Sequence, residues 1–170
     1  MSVNYEVAGT INPVDQNDGA LCWLATTATL LSWSLLRPMS LRETANHLGS
    51  PFKDYLTSGD PLLARDIPLF LQRSRLISVA GQSRPARAWE ALLKAHGPLG
   101  VGVDADAPDN YMAHLVTIYG ISGDETPKRT NVKLIDPNGG RKITITFEKL
   151  AELYGANDAV NTPFNVFHNP

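Results

Sequence analysis

The chain has 170 residues, of which 43% are hydrophobic and 19% are charged, and its formal net charge at pH 7 is −2. This composition is typical of a single folded domain with a buried core and argues against an intrinsically disordered chain. The basic residues form no long run, and no apolar stretch approaches the ~20 residues that span a bilayer, so neither nucleic-acid nor membrane partners are expected.

Helical patterns dominate the first half of the sequence. Residues 1–15 are expected to be irregular or extended. From Leu21 onwards apolar residues recur at spacings of three and four, which predicts a helix that ends before Pro38. Asn17 or Asp18 is expected to cap this helix, because short polar side chains accept hydrogen bonds from the first free backbone N–H groups.

Three further helices are predicted before the pattern changes. Ser40 and Glu43 have the spacing of a capping box, and Asp66 is expected to cap the following helix, whose first turn tolerates a proline. A stretch rich in Pro, Gly, Ser and Asp predicts a loop over residues 50–61. In chain order we expect a helix that ends at Gly49, a helix from Ile67 to Arg75, a short strand from Leu76 to Ala80, and a helix that Ser83 and Pro85 open and Gly97 ends.

The second half of the sequence is strand-like. Apolar runs alternate with clusters of Gly, Asp, Asn and Pro, and Gly139-Gly140 is a hairpin signal. Helices followed by strands predict an α+β domain, in which a helical half packs on an antiparallel sheet and a cleft between them holds the site. The expected segments are strands at Leu99–Val103, His114–Ile121, Asn131–Ile135 and Lys142–Phe147, a short helix at Phe147–Tyr154 and a terminal strand at Phe164–Phe167.

Cys22 is the only cysteine in the chain and falls in the first turn of the first predicted helix. A thiolate at that position is stabilised by the helix dipole and by unpaired backbone N–H groups. Gln16, six residues upstream, is placed to donate its amide to an oxyanion beside the sulfur. These features predict a nucleophilic cysteine. The alternatives are a small buried apolar side chain at Cys22 and a solvated turn residue at Gln16.

His114 is the histidine that fits a catalytic base best. It begins an apolar strand, where a polar ring is held rigidly and needs a partner for each nitrogen. His47 and His96 precede glycines at predicted helix ends, where interaction with the helix dipole explains them, and His168 lies close to the end of the sequence. The alternative for His114 is a core histidine that is bonded to backbone groups.

Asp136 ends the next apolar strand, immediately before Pro137. If this strand neighbours the one that begins at His114, the carboxylate accepts a hydrogen bond from the imidazole, fixes its tautomer and supports the imidazolium. The alternative is a carboxylate that caps its own turn before the proline. Asn138 remains a second candidate for the orienting group.

These residues together resemble the pattern of papain-like cysteine proteases over roughly residues 14–147. Among them the sequence is most similar to compact bacterial types, namely the peptidase domains that process bacteriocin leaders and the secreted effector proteases of plant pathogens and interbacterial toxin systems. The residues that carry the resemblance are Gln16, Cys22, Trp23, His114 and Asp136, with Gly97-Pro98-Leu99-Gly100-Val101 ahead of the histidine.

The resemblance implies one papain-like domain over residues 1–170, with no cofactor. In it Cys22 is the nucleophile, His114 the base and then the acid, and Asp136 the orienting group. Gln16 and the Cys22 backbone N–H form the oxyanion hole. Trp23 is a core aromatic residue that also walls the substrate cleft. Two features depart from papain itself: the interval from Cys22 to His114 is shorter than ~130–150 residues, and an aspartate replaces the asparagine of its triad.

The function expected from this pattern is that of a cysteine endopeptidase acting on a protein or peptide. We further expect a bacterial effector or toxin that cleaves a protein of a target cell and is neutralised by a cognate immunity protein. Three alternatives stay open: a glutamine deamidase or acyltransferase on the same triad, a leader peptidase that cuts after a double glycine, and a non-catalytic papain-like binding module.

The expected place of synthesis is the cytoplasm, since the N-terminus shows no basic start and no apolar segment of a secretory signal. A single cysteine also excludes internal disulfide bonds. Secretion by a system that reads no N-terminal signal stays open. A metal site is not expected, because one cysteine and four scattered histidines do not supply the close ligand spacing of structural zinc.

Overall fold

A computed structural model describes residues 1–79, 84–107, 109–159 and 165–170. In these residues the chain forms six α-helices, one short 3₁₀ turn (Ala64–Asp66) and seven β-strands. The helices are α1 Cys22–Leu35, α2 Leu41–Leu48, α3 Phe52–Ser58, α4 Ile67–Ser74, α5 Ala86–His96 and α6 Phe147–Ala159. The strands are β1 Val3–Glu6, β2 Ile77–Val79, β3 Leu99–Asp104, β4 Ala113–Gly123, β5 Thr130–Asp136, β6 Arg141–Thr146 and β7 Val166–His168.

The seven strands belong to one antiparallel sheet, in which six follow the order β2-β7-β3-β4-β5-β6 and β1 pairs with β4. The first half of β4 pairs with β3, where Val103 lies opposite His114, and the second half pairs with β1. On its other edge β4 pairs with β5, where Thr117 lies opposite Ile135. The strand that begins at His114 and the strand that ends at Asp136 are therefore direct neighbours, as predicted.

Helices cover both faces of the sheet. One buried cluster joins α1, α2 and α4 to the sheet through Leu115 and Phe167, and a second joins α5 and α6 to the opposite face through residues such as Val101 and Val116. The two clusters lie on opposite faces because successive side chains of a strand, such as Leu115 and Val116 of β4, point to opposite faces of the sheet. The predicted α+β class and the helical half on an antiparallel sheet are confirmed, with α5 and α6 forming an additional layer.

Tertiary packing changes the expected boundaries around α1 and α3. The predicted loop over residues 50–61 is wrong, because Phe52–Ser58 is helical and the buried Phe52 ring packs against Trp23 and Phe70. The expected cap of α1 is also wrong. The helix begins directly after Leu21 with no side-chain cap, and Asn17 instead adopts a φ of +58° in the preceding loop.

Several local predictions are confirmed. Ser40 and Glu43 form both hydrogen bonds of a capping box. The prediction that Asp66 caps α4 is wrong: Asp66 stands at the position before the helix, but its side chain makes no capping hydrogen bond, because the carboxylate accepts the Tyr55 hydroxyl at 2.6 Å. Residues 1–15 contain the short strand β1. Ala80, Ser83 and Phe164, which were expected at the ends of elements, lie outside the described residues. No helix in the described ranges has the length and apolarity to span a bilayer.

Candidate active site

The Cys22 thiol lies at the N-terminal end of α1. It is free and partly exposed. The N–H groups of Leu24 and Ala25 both donate to the Leu21 carbonyl, which closes the first turn of the helix. Since the first N–H of a helix has no intrahelical acceptor, the Cys22 N–H points out of this end beside its own sulfur. The positive end of the helix dipole thus faces the thiol and favours a negative charge there.

The His114 ring bridges the thiol and a carboxylate. Its Nε2 lies 2.9 Å from Asp136 Oδ1, and the Cys22 thiol lies close enough to the ring to influence its charge. A carboxylate only accepts, so Nε2 carries a proton and Nδ1 is left for the sulfur. Burial of the ring disfavours its charged form, but hydrogen bonds and charge from Cys22 and Asp136 outweigh burial and raise the pKa of His114 above its ordinary value.

Asp136 is fixed by its own turn. Its Oδ1 accepts the Asn138 backbone N–H at 2.9 Å as well as the imidazole, and its Oδ2 lies 3.8 Å from an Arg141 guanidinium nitrogen. The two interpretations offered for this residue therefore coexist, because one carboxylate oxygen stabilises the turn and orients the ring. Asn138 contributes its backbone to this arrangement, and its side chain lines the adjacent cleft.

Gln16 sits at the cleft and is clamped to the same turn. Its backbone N–H donates to the Pro137 carbonyl at 2.8 Å, and Asp15 Oδ1 accepts the Gly139 N–H at 3.2 Å. The side-chain Nε2 of Gln16 donates to the Gly19 carbonyl at 2.9 Å, while its Oε1 is buried with no hydrogen-bond partner. An amide nitrogen has two N–H groups, so a second donor of Gln16 is available.

Two glycines hold the loop ahead of α1 against the helical half. The Ala20 N–H donates to the Gly59 carbonyl at 2.9 Å. Gly19 adopts a φ of +80°, and a Cβ on it would lie 2.8 Å from the same carbonyl oxygen. The contributions of Asp15, Gly19 and Gly59 were missed by the sequence analysis. The Asn17-Asp18-Gly19 run signalled a turn, but nothing in it indicated the partner.

Trp23 belongs to the core. Its side chain is 1% exposed and packs against the rings of Phe52, Tyr55 and Phe70, and its Nε1 donates to the Asp60 carbonyl at 3.0 Å. The residue also lines the cleft from beneath. The aromatic cluster therefore gives the helix that carries the thiol a rigid base.

A cleft of about 550 Å³ joins these parts. Gln16, Cys22, His114 and Asp136 all line it, together with residues that the sequence analysis did not single out, namely Pro61, Leu62, Ala105 and Met112. The remaining histidines do not line this cleft, and His96 stacks on His168 with ring centroids 3.7 Å apart. Within the described ranges no group of three or more His, Cys, Asp or Glu side chains is arranged to hold a metal ion.

This arrangement contains the kinds of group that acyl transfer through a thioester requires: a thiol, an imidazole near it, a carboxylate bonded to the imidazole, and N–H donors in the same cleft. The model of a protein family described as papain-like cysteine protease AvrRpt2 matches residues 1–154. Among curated proteins no sequence matches the chain. The chain belongs to this family of papain-like cysteine proteases, which are hydrolases that act on peptide bonds.

Proposed function

We propose that the protein is an endopeptidase in which Cys22 is the nucleophile, His114 the general base and acid, and Asp136 the orienting group. Gln16 and the Cys22 backbone N–H stabilise the oxyanion. The observation that carries the proposal is the imidazole of His114, which is hydrogen-bonded to the Asp136 carboxylate, lies close enough to the Cys22 thiol for the two groups to interact, and lines an open cleft.

In this mechanism the proton of the Cys22 thiol moves to His114 Nδ1, and the thiolate attacks a peptide carbonyl carbon. The carbonyl oxygen becomes an oxyanion between the Gln16 amide and the Cys22 N–H. The C–N bond then breaks, and the departing amine takes the proton from the imidazolium. Water, deprotonated by His114, attacks the thioester and releases the carboxylic acid and the free thiol.

The electrostatics of the site support a thiolate–imidazolium pair. The raised pKa of His114 means that its protonated form is favoured beside the sulfur, despite the burial that opposes it. The N-terminal end of α1 favours the negative partner. The charge separation that the first step needs is thus stabilised before a substrate enters.

The direct test uses purified wild type and Cys22→Ala. We expect wild type to cleave denatured protein substrates and to be labelled once by a thiol-directed covalent inhibitor, whereas Cys22→Ala does neither and unfolds at an unchanged temperature. Cleavage by the alanine variant would contradict the proposal. Intact-mass analysis of the substrates separates cleavage from deamidation, which leaves the chain whole.

The proposed biological role is that of a bacterial effector or toxin, made in the cytoplasm and delivered into a target cell by a signal-independent system. Its support is the resemblance to compact secreted effector proteases, carried by Gln16, Cys22, His114 and Asp136. A cleft that is already assembled and open also endangers the cell that makes it. A cognate immunity protein that covers the cleft removes that danger.

Expression in a bacterial cytoplasm tests this role. We expect wild type to arrest growth and Cys22→Ala to be harmless at the same protein level, and new protein termini that appear only with wild type identify the substrate. Equal growth of the two strains would contradict a bacterial target.

A further inference from the structure

A second cavity, of about 130 Å³, adjoins the cleft on the face of the sheet that α6 covers. It shares Ala105, His114 and Asp136 with the cleft. Its other lining residues come from the sheet and from α6 and are all aliphatic. The principal ones are Val116, Leu134, Ile143, Ile145, Leu150 and Leu153.

The cavity is apolar inside and open at its mouth. Val116, Leu134 and Leu150 form its buried depth. Ala105 is exposed and Ile143 is 37% exposed, so these two residues border the entrance. The polar groups at its edge are those of His114 and Asp136, which are bonded to each other. A cavity of this kind favours an uncharged aliphatic group, because a charged one would lose its hydration without gaining a partner.

The position of the cavity indicates which half of a bound peptide it contacts, namely the half on the leaving-group side of the scissile bond. The segment of Gln16 to Trp23, which carries the nucleophile and the oxyanion donors, contributes nothing to its lining. The cavity lies on the side of the imidazole, and the imidazole is the group that protonates the departing amine. The part of the substrate that follows the scissile bond, which departs as the amine, therefore passes His114 and reaches the cavity.

We propose that this cavity is a specificity pocket for the leaving-group half of the substrate, and the inference rests on the proposed protease mechanism. It receives an aliphatic side chain, of the size of leucine, isoleucine or methionine, from one of the first two residues after the scissile bond. Successive side chains of an extended peptide point to opposite faces, so only one of the two enters the pocket.

The size of the cavity sets the size of the side chain. The cavity of about 130 Å³ is well above the size that holds a single water molecule, so it has room for an aliphatic side chain of several carbon atoms. A small residue leaves the cavity unfilled and gains less from burial.

The test measures kcat/KM on peptides that vary only in the first two positions after the cut. Sequencing of the new termini from a random peptide mixture first locates the cut. We expect wild type to prefer leucine over alanine at one of these positions by about tenfold, as one or two buried methylenes allow. Ile143→Phe fills the entrance and should reduce the preference to about twofold, while cleavage of the alanine peptide is retained.

The matched control is Ile77→Phe, because Ile77 is 45% exposed on the distant edge strand β2 and should leave the preference unchanged. Ala105→Leu blocks the same entrance from the β3–β4 loop and replaces Ile143→Phe if that variant does not fold. Absence of any Cys22-dependent cleavage overturns the protease mechanism itself. Cys22-dependent cleavage without an aliphatic preference, or with a preference that both entrance variants retain, overturns the pocket alone.

Discussion

His114 is held between a thiol and a carboxylate, so its protonation state controls what each neighbour can do. Asp136 fixes the tautomer through Nε2, and this leaves Nδ1 to exchange a proton with Cys22. Both neighbours favour the imidazolium, and their combined effect exceeds that of burial. The ring is thus prepared to hold the proton that the departing amine needs.

The first prediction concerns the charge of this ring. Cys22→Ala removes one of the two groups that raise the pKa of His114, so the pKa should fall, and burial should then dominate. NMR titration of the His114 ring in wild type and in the variant measures the change. Titration of His96, which does not line the cleft, serves as the control and should not change. An unchanged or higher value for His114 in the variant would show that the thiol does not act on the ring.

The second prediction concerns the oxyanion. Gln16→Ala should lower kcat by about 10²–10³ with little change in KM, because loss of one oxyanion donor destabilises the transition state and not the bound substrate. Asp18→Ala is the control, since Asp18 is exposed in the same loop. Steady-state kinetics on one peptide give both constants. A rise in KM at constant kcat would assign Gln16 to substrate binding.

At the scale of elements, the site depends on how the loop ahead of α1 is anchored. This loop carries Gln16 and ends at the helix that presents Cys22. It meets the end of α3 through Gly19 and Gly59 and meets the β5–β6 turn through Gln16 and Asp15. The loop is therefore positioned from two sides, by one contact with the helical half and another with the sheet.

The third prediction tests the first of these anchors. Gly19→Ala places a Cβ 2.8 Å from the Gly59 carbonyl oxygen, so the loop must shift and kcat should fall by about tenfold or more. Gly59→Ala is the matched control. Gly59 has a similar positive φ, but its Cβ would lie 3.7 Å from Gly19, so the backbone strain is comparable without the collision. Equal kcat values for the two variants would show that the close approach is unimportant.

The sequence was sufficient to predict the elements whose local pattern agrees with their packing. The spacing of apolar residues located α1, and the Ser40–Glu43 capping box located α2. The sequence pattern did not predict α3, because Pro, Gly and Asp residues surround it. This helix forms because Phe52 is buried against Trp23. Burial of one aromatic ring outweighs unfavourable local propensity there.

The candidate site was predictable for a different reason. A lone cysteine at a helix start, a histidine at one strand start and an aspartate at the next strand end each carry a local signal. Antiparallel pairing of β4 with β5 then brings the histidine and the aspartate together. The aliphatic cavity under α6 was not predictable, because it is made by Ile143, Leu153 and other residues that look like ordinary core positions.

At the scale of the whole molecule, two histidines respond to pH in opposite directions. Burial, followed by the charge of the stacked His168 ring, lowers the pKa of His96, whereas the pKa of His114 is raised. The unfolded chain takes up a proton near pH 6.5 at either residue. The stability that neutral His96 contributes is therefore complete above this pH and is lost as the pH falls through its folded pKa. The contribution of His114 is complete below pH 6.5 and is lost as the pH rises through its folded pKa.

The fourth prediction follows from the acid side of this balance. His96→Gln removes a group whose charged form is disfavoured in the folded protein, so the free energy of unfolding of the variant should fall less than that of wild type between pH 7 and about pH 5. Urea unfolding at several pH values measures the difference. His47→Gln is the control, because His47 is exposed at the end of α2. A parallel fall for wild type and His96→Gln would mean that the stacked pair is not a source of acid sensitivity.

The hydrogen bond from the Gln16 backbone N–H to the Pro137 carbonyl joins the loop ahead of α1 to the β5–β6 turn. Gln16 and Asp136, the proposed oxyanion donor and orienting carboxylate, therefore lie on two segments that are bonded to each other, and we expect them to move together. The proposed centre therefore needs no further rearrangement of these two groups after the protein has folded. An inhibitor of the proposed protease is therefore expected to act by covering the cleft, because displacing these groups would require the helical half to separate from the sheet.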